Sequence, residues 1–140
     1  MIQETLLRLK GLKIGEPIVS CSEGHRFMVA QQSGEVSDSK PIILLEPMAK
    51  NTAPAIATAC CAAMKQDTDA IVVVLPSDHI IADIAVFQNA LKTAALNGEK
   101  DYLVTFGIVP TLPSTGYRYI KVTGGIAECL FLKHQHSLKN

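Results

Sequence analysis

Three short apolar runs constrain this chain more than any other feature. They are IILL (Ile42–Leu45), AIVVVL (Ala70–Leu75) and LVTFGI (Leu103–Ile108). Each is too short for a buried helix, and the first two are apolar throughout, without alternation. Such runs read as strands buried on both faces of a parallel sheet. PIVSC (Pro17–Cys21) reads as a further strand, and YRYIKV (Tyr117–Val122) alternates as a strand does. Between them lie helical stripes. Gln3–Leu9 places Leu6 and Leu9 on one side, and Glu23–Gln32 turns Phe27 and Ala30 inward. In Thr52–Gln66, Ala53, Ile56, Ala57, Cys60 and Met64 recur at three- and four-residue steps. Ile84, Phe87, Leu91 and Ala94 mark a last helix, closed near Asn97-Gly98. Ser33–Lys40 is polar and reads as a loop. The alternation predicts an α/β, Rossmann-like fold: a mostly parallel sheet with helices on both faces.

Composition narrows the function classes. The 140 residues suit one domain, and 48% of them are hydrophobic, enough to expect a real core. The formal net charge is zero, with no basic block, which argues against nucleic-acid binding through phosphate neutralisation. No apolar run approaches the ~20 residues that cross a bilayer. The start, MIQETLLRLKGLK, lacks the apolar stretch of a signal peptide. Cys21, Cys60, Cys61 and Cys129 form no C-x-x-C pair and no zinc spacing. Cys60 and Cys61 read as small buried hydrophobes, and a reducing cytoplasmic setting is expected.

In open α/β sheets, ligands bind beyond the carboxyl ends of the strands. Three polar clusters sit there: EPMAKNT after Leu45, PSDH after Leu75, and PSTGY after LVTFGI. Pro47 fixes its own φ and disfavours helix at Glu46, so the chain leaves the strand extended. Asn51 stands where an N-cap belongs, and Pro54 falls in the first helical turn, where its missing N–H is harmless. Glu46, the Asn51 carboxamide and the helix amides could converge there on a purine edge; a plain strand–turn–helix with an Asn cap is the alternative. Asp78 could hold Mg²⁺, which prefers oxygen ligands and bridges to phosphates, or it could cap the turn that follows. Gly116-Tyr117 could bring backbone close to a sugar, or simply turn into an edge strand. His79, alone beside Asp78, reads as structural, and His134 and His136 as solvated tail residues. Neither G-x-x-x-x-G-K-[ST] nor G-x-G-x-x-G occurs.

Taken together, ILLEPMAKNTAPAIA, VLPSDHIIAD, LVTFGIVPTLPSTGYRYI and the upstream PIVSCSEGHRFMVAQQ resemble the bacterial mannose-1-phosphate guanylyltransferases, in the same order along the chain. The resemblance covers Met1 to about Val122. It implies an incomplete nucleotidyltransferase sheet of the GT-A-like kind, with a partial domain over residues 1–125 and a divergent tail over 126–140. It implies the conversion of GTP and mannose 1-phosphate to GDP-mannose and pyrophosphate. Glu46, Pro47, Asn51, Thr52 and Ala53 would line the guanosine pocket, Gly116 and Tyr117 would lie near the sugar, and Asp78 would bind Mg²⁺. No catalytic residue is assigned beyond these.

The chain departs from the family pattern at Lys50, where Arg is usual, and at Arg118, where Gly is usual. The family's glycine-rich signature loop, with its arginine and later lysine, belongs ahead of the part that matches, and the sugar-binding half after it. The expectation is therefore an internal fragment, inactive or very weak when isolated, of marginal stability, and prone to self-association through exposed sheet edges. A non-catalytic nucleotide-binding module and a half-site completed by another chain are the alternatives.

Overall fold

The computed structural model describes residues 1–37, 39–48, 51–108 and 113, and the backbone of 129–133. The chain divides into two compact units, Met1–Ile84 and Ala85–Asn140.

The first unit is built around one parallel strand pair. Helix α1 (Ile2–Leu7) precedes strand β1 (Ile18–Ser22). A 3₁₀ turn (Glu23–His25) leads into helix α2 (Arg26–Gly34), and strand β2 (Ile42–Glu46) follows. β-Branched residues at Ile18, Val19, Ile42 and Ile43 suit the pleated conformation. β1 and β2 run parallel in the register Ile18↔Ile42 through Ser22↔Glu46, so both carboxyl ends finish on one rim. Helix α3 (Thr52–Met64) leaves that rim. Helices α2 and α3 both pack against the strand pair, and α1 packs against α2.

The inward face of α2 differs from the sequence expectation. Val29 and Ser33, one helical turn apart, are buried. Phe27 is 73% exposed and Ala30 is exposed. The 3₁₀ turn makes the α-helix start at Arg26, three residues later than the sequence places it. Phe27 instead stacks with the Arg26 guanidinium, 4.3 Å from the ring centroid. The buried residue of α1 is Thr5, and Arg8 just after the helix is buried too, with Leu6 and Leu9 half-buried beside them. The Arg8 guanidinium donates to the Thr5 hydroxyl.

The run AIVVVL does not form a buried strand. Residues 71–75 belong to no ladder, and Ile71, Val72, Val73 and Val74 are 37–48% exposed. A buried strand needs neighbours on its edges and cover on its faces. β1 and β2 pair with each other on one edge each, and no described strand pairs with this segment. For the same reason β2 is not covered on both faces: Leu45 is 43% exposed. The predicted mostly parallel sheet is thus, among the described residues, one parallel pair and one antiparallel pair in a mixed α/β chain. Cys60 is half-buried and Cys61 exposed, against the expectation of two buried thiols. They are helix neighbours about 100° apart on α3, so one helix face cannot bury both.

The second unit holds helix α4 (Ile84–Gly98), whose first residue closes the unit before it, and strands β3 (Tyr102–Phe106) and β4 (Cys129–Lys133). Leu91 and Ala94 of α4 are buried. The helix ends as its Asn97-Gly98 sequence predicts, and Asp101, at a φ of 62°, turns the chain into β3. β3 and β4 pair antiparallel from Tyr102↔Lys133 to Phe106↔Cys129. The tail thus supplies a strand that its divergence concealed, although Leu130-Phe131-Leu132 is a short apolar run. The predicted strand Tyr117–Val122 lies outside the described residues, as do His134 and His136.

Candidate functional site

The site is built where β1 and β2 end. Side chains alternate along a strand, so Ser20, Ser22 and Glu46 share one face of the pair. Ser20 Oγ donates to Glu46 Oε1 at 2.6 Å, the short distance of a hydroxyl bonded to a carboxylate. Glu46 is half-buried, and among the described residues nothing donates to its second oxygen. Ser22, the register partner of Glu46, is engaged elsewhere. Its hydroxyl lies 2.9 Å from His25 Nδ1 and donates when that nitrogen is unprotonated. On the opposite face, burial pushes the Cys21 thiol above its ordinary value, and the nearby Glu46 charge pushes it further.

Pro47 and Met48 carry the chain off the rim, both exposed. Asn51 sits at the N-cap position of α3, as its sequence predicts, but makes no side-chain capping bond. Its backbone is the reason. A capping Asn normally has an extended backbone, whereas Asn51 has a φ of 62° and a ψ of −175°. That is a region glycine occupies and other residues enter only under strain. The exposed Asn51 carboxamide therefore stands beside the first helical residues, Thr52 and Ala53, without serving them. Pro54 falls in the first turn, as expected.

Asp78 occupies an exposed turn after Pro76 in the same unit. The turn touches α1: the Thr5 hydroxyl approaches the Ser77 carbonyl at 3.5 Å. Arg8 supports that hydroxyl from behind, a role invisible in a sequence where Arg8 looks like the polar face of a helix. The predicted residues therefore fall into groups. Glu46, Pro47, Asn51, Thr52 and Ala53 share one strand–helix junction, and Asp78 stands on a second turn. Gly116, Tyr117, Lys50 and Arg118 lie outside the described residues.

Among the described residues no three His, Cys, Asp or Glu side chains gather as a metal cage. Asp78 is a single exposed carboxylate on its turn. Mg²⁺ carried by phosphates keeps much of its coordination in water and substrate and takes only one or two carboxylates. An exposed lone carboxylate meets that demand and no larger one. A hollow of about 400 Å³, lined by Ala30, Gly34, Ser37, Ser39, Lys40, Pro41 and Ile43, opens at the amino end of β2, away from this rim. Ser20, Ser22 and His25 escaped sequence reasoning. The available signal was the S-x-S spacing, which sets two hydroxyls on one face at the end of a strand.

The nucleotidyl transferase family matches residues 1–130. Mannose-1-phosphate guanylyltransferase of Escherichia coli is 47% identical over 121 residues, covering 86% of this chain and 26% of the relative. The protein of the same name from Klebsiella pneumoniae is 48% identical over 121 residues, again 86% and 26%. Xanthan biosynthesis protein XanB of Xanthomonas campestris pv. campestris (strain B100) is 49% identical over 125 residues, 89% and 27%. The chain spans about a quarter of the length of these curated relatives. No solved structure matches it.

Proposed function

The chain belongs to the nucleotidyl transferase family, and from that premise we propose that it carries the guanine-nucleotide rim of a mannose-1-phosphate guanylyltransferase. The reaction joins a phosphate oxygen of mannose 1-phosphate to the α-phosphorus of GTP. The bond to the bridging oxygen of the β-phosphate breaks, and pyrophosphate leaves. The attacking oxygen is already anionic, so alignment and charge neutralisation carry the reaction rather than a strong base. The observation that supports this reading best is the placement of Glu46. It is a half-buried carboxylate on the carboxyl rim of a parallel pair, beside the start of α3.

In this proposal the Glu46 carboxylate accepts from the two N–H donors on the guanine edge. Asn51 supplies a carboxamide, Pro47 shapes the wall, and Thr52 and Ala53 present helix-start amides. Asp78 would hold Mg²⁺ between phosphates, where the ion screens phosphate charge. Gly116 and Tyr117 would approach the mannose.

Calorimetry of the chain with GDP, GTP and ADP tests this. The expectation is guanine-selective binding that Glu46→Gln weakens on the order of tenfold or more. Equal binding of GDP and ADP, or an unaffected Glu46→Gln variant, refutes it. A second reading is a nucleotide-binding module that keeps the Glu46 rim without turnover. Pyrophosphate release from GTP and mannose 1-phosphate with Mg²⁺ separates the two. We expect these 140 residues alone to bind without appreciable release. A third possibility, a half-site completed by another chain, is favoured by the uncovered Ile71–Val74 segment.

A further inference from the structure

We infer that Ser20 is a positioning residue for Glu46 and thereby a determinant of guanine over adenine. The inference rests on the guanine-rim reading above and adds a residue to it.

A glutamate carboxylate is torsionally loose, because its last torsion is broad and roughly two-fold. Reading the guanine edge demands the opposite. The N1–H and the exocyclic amine point the same way a little over two ångströms apart (roughly the spacing of carboxylate oxygens), so the carboxylate must lie in the base plane to accept from both. The 2.6 Å bond from Ser20 Oγ to Oε1 supplies the missing restraint. It uses one lone pair of Oε1 and leaves the other, with the whole of Oε2, for a ligand.

Two features single out Ser20. The residue opposite Glu46 in the register is Ser22, but its hydroxyl is taken up with His25. Ser20 is the diagonal neighbour on the same face, and a long side chain reaches a diagonal partner across strands. Both partners are half-buried, so water competes less for the bond than it would on an open surface. Adenine presents an acceptor at N1, which repels a carboxylate locked in this plane. A carboxylate free to rotate turns away from that acceptor at little cost. Restraint at Ser20 therefore sharpens the preference for guanine.

The test compares Ser20→Val with Ser20→Thr in the full chain, by calorimetry with GDP and with ADP. The two replacements have the same shape and both suit a strand, but only Thr keeps the hydroxyl. Thermal melts of both check the fold. The expectation is that Ser20→Val weakens GDP binding by about tenfold and leaves ADP binding unchanged or stronger, while Ser20→Thr retains GDP binding within about twofold of the parent. Equal GDP affinity for the Val variant and the parent overturns the inference. So does an equal loss in both variants, or a parallel loss of ADP. If the parent lacks guanine preference, or Glu46→Gln does not weaken GDP binding, the guanine-rim reading fails and this inference fails with it. Failure confined to the Ser20 variants leaves that reading standing.

Discussion

Replacing Asn51 with glycine is expected to raise stability and lower nucleotide affinity in the same variant. Asn51 holds a φ of 62° with a ψ of −175° and makes no capping bond. A non-glycine residue in that region carries roughly 1–3 kcal/mol of strain. Glycine removes the strain but adds chain entropy to the unfolded state, roughly 0.4–1 kcal/mol. The net is a gain of about 0–2.6 kcal/mol, or, at a urea slope near 2 kcal/mol/M, a midpoint rise of up to about 1.3 M. Asn51→Ala is the control. It loses the same carboxamide and keeps a Cβ in the strained region, so it is expected to be less stable than Asn51→Gly by the strain less the entropy that glycine adds to the unfolded state. Calorimetry with GDP is expected to show both variants weakened alike, on the order of tenfold for one lost hydrogen bond to the ligand. If Gly and Ala unfold at the same urea concentration, the backbone argument is wrong. If both bind GDP as the parent does, Asn51 does not belong to the site.

Three further expectations concern Cys21, Cys61 and the Ile71–Val74 segment of the first unit. The Cys21 thiol is raised above its ordinary value of 9.0 by burial and by Glu46, so the folded state disfavours the thiolate. Its contribution to stability is complete below pH 9.0 and is lost as pH rises through the folded value; urea midpoints from pH 8 upward are expected to fall less in Cys21→Ala than in the parent. At neutral pH an alkylating reagent is expected to modify exposed Cys61 before half-buried Cys21, and peptide mapping reads the order; faster labelling at Cys21 contradicts the burial argument. The uncovered Ile71–Val74 segment is an apolar run outside every described ladder, a surface open to association with another copy. Light scattering is expected to show mass rising with concentration, and Val73→Lys to suppress the rise. A parent that stays monomeric throughout would count against this surface.

The parts of the fold that depend on local chemistry were legible in the sequence. β1, β2, α3, α4 and β3 lie within two residues of where apolar runs, Pro54 and Asn97-Gly98 place them. The parts that depend on a neighbour were not. AIVVVL has every local mark of a strand, but a ladder is a property of two segments. The face that α2 buries is set by the strand pair it packs against, and β4 became visible only beside β3. The same division runs through the site. Glu46 could be placed at the end of its strand from Pro47 alone. The Ser20–Glu46 bond required the register of two strands 24 residues apart, which neither strand encodes by itself. Asn51 stands at the helix boundary its sequence marks, but the plain capping alternative is not what its side chain does, since its backbone is not the extended one a capping Asn needs.

The parallel register also dictates where this rim tolerates changes in length. An added or lost codon between Ile42 and Glu46 inverts every following side chain, sending Glu46 to the Cys21 side and away from Ser20. The same codon change among residues 35–41 merely lengthens or shortens a connection, a minor entropic matter. Insertions and deletions in this lineage should therefore collect ahead of β2 and spare the strand itself.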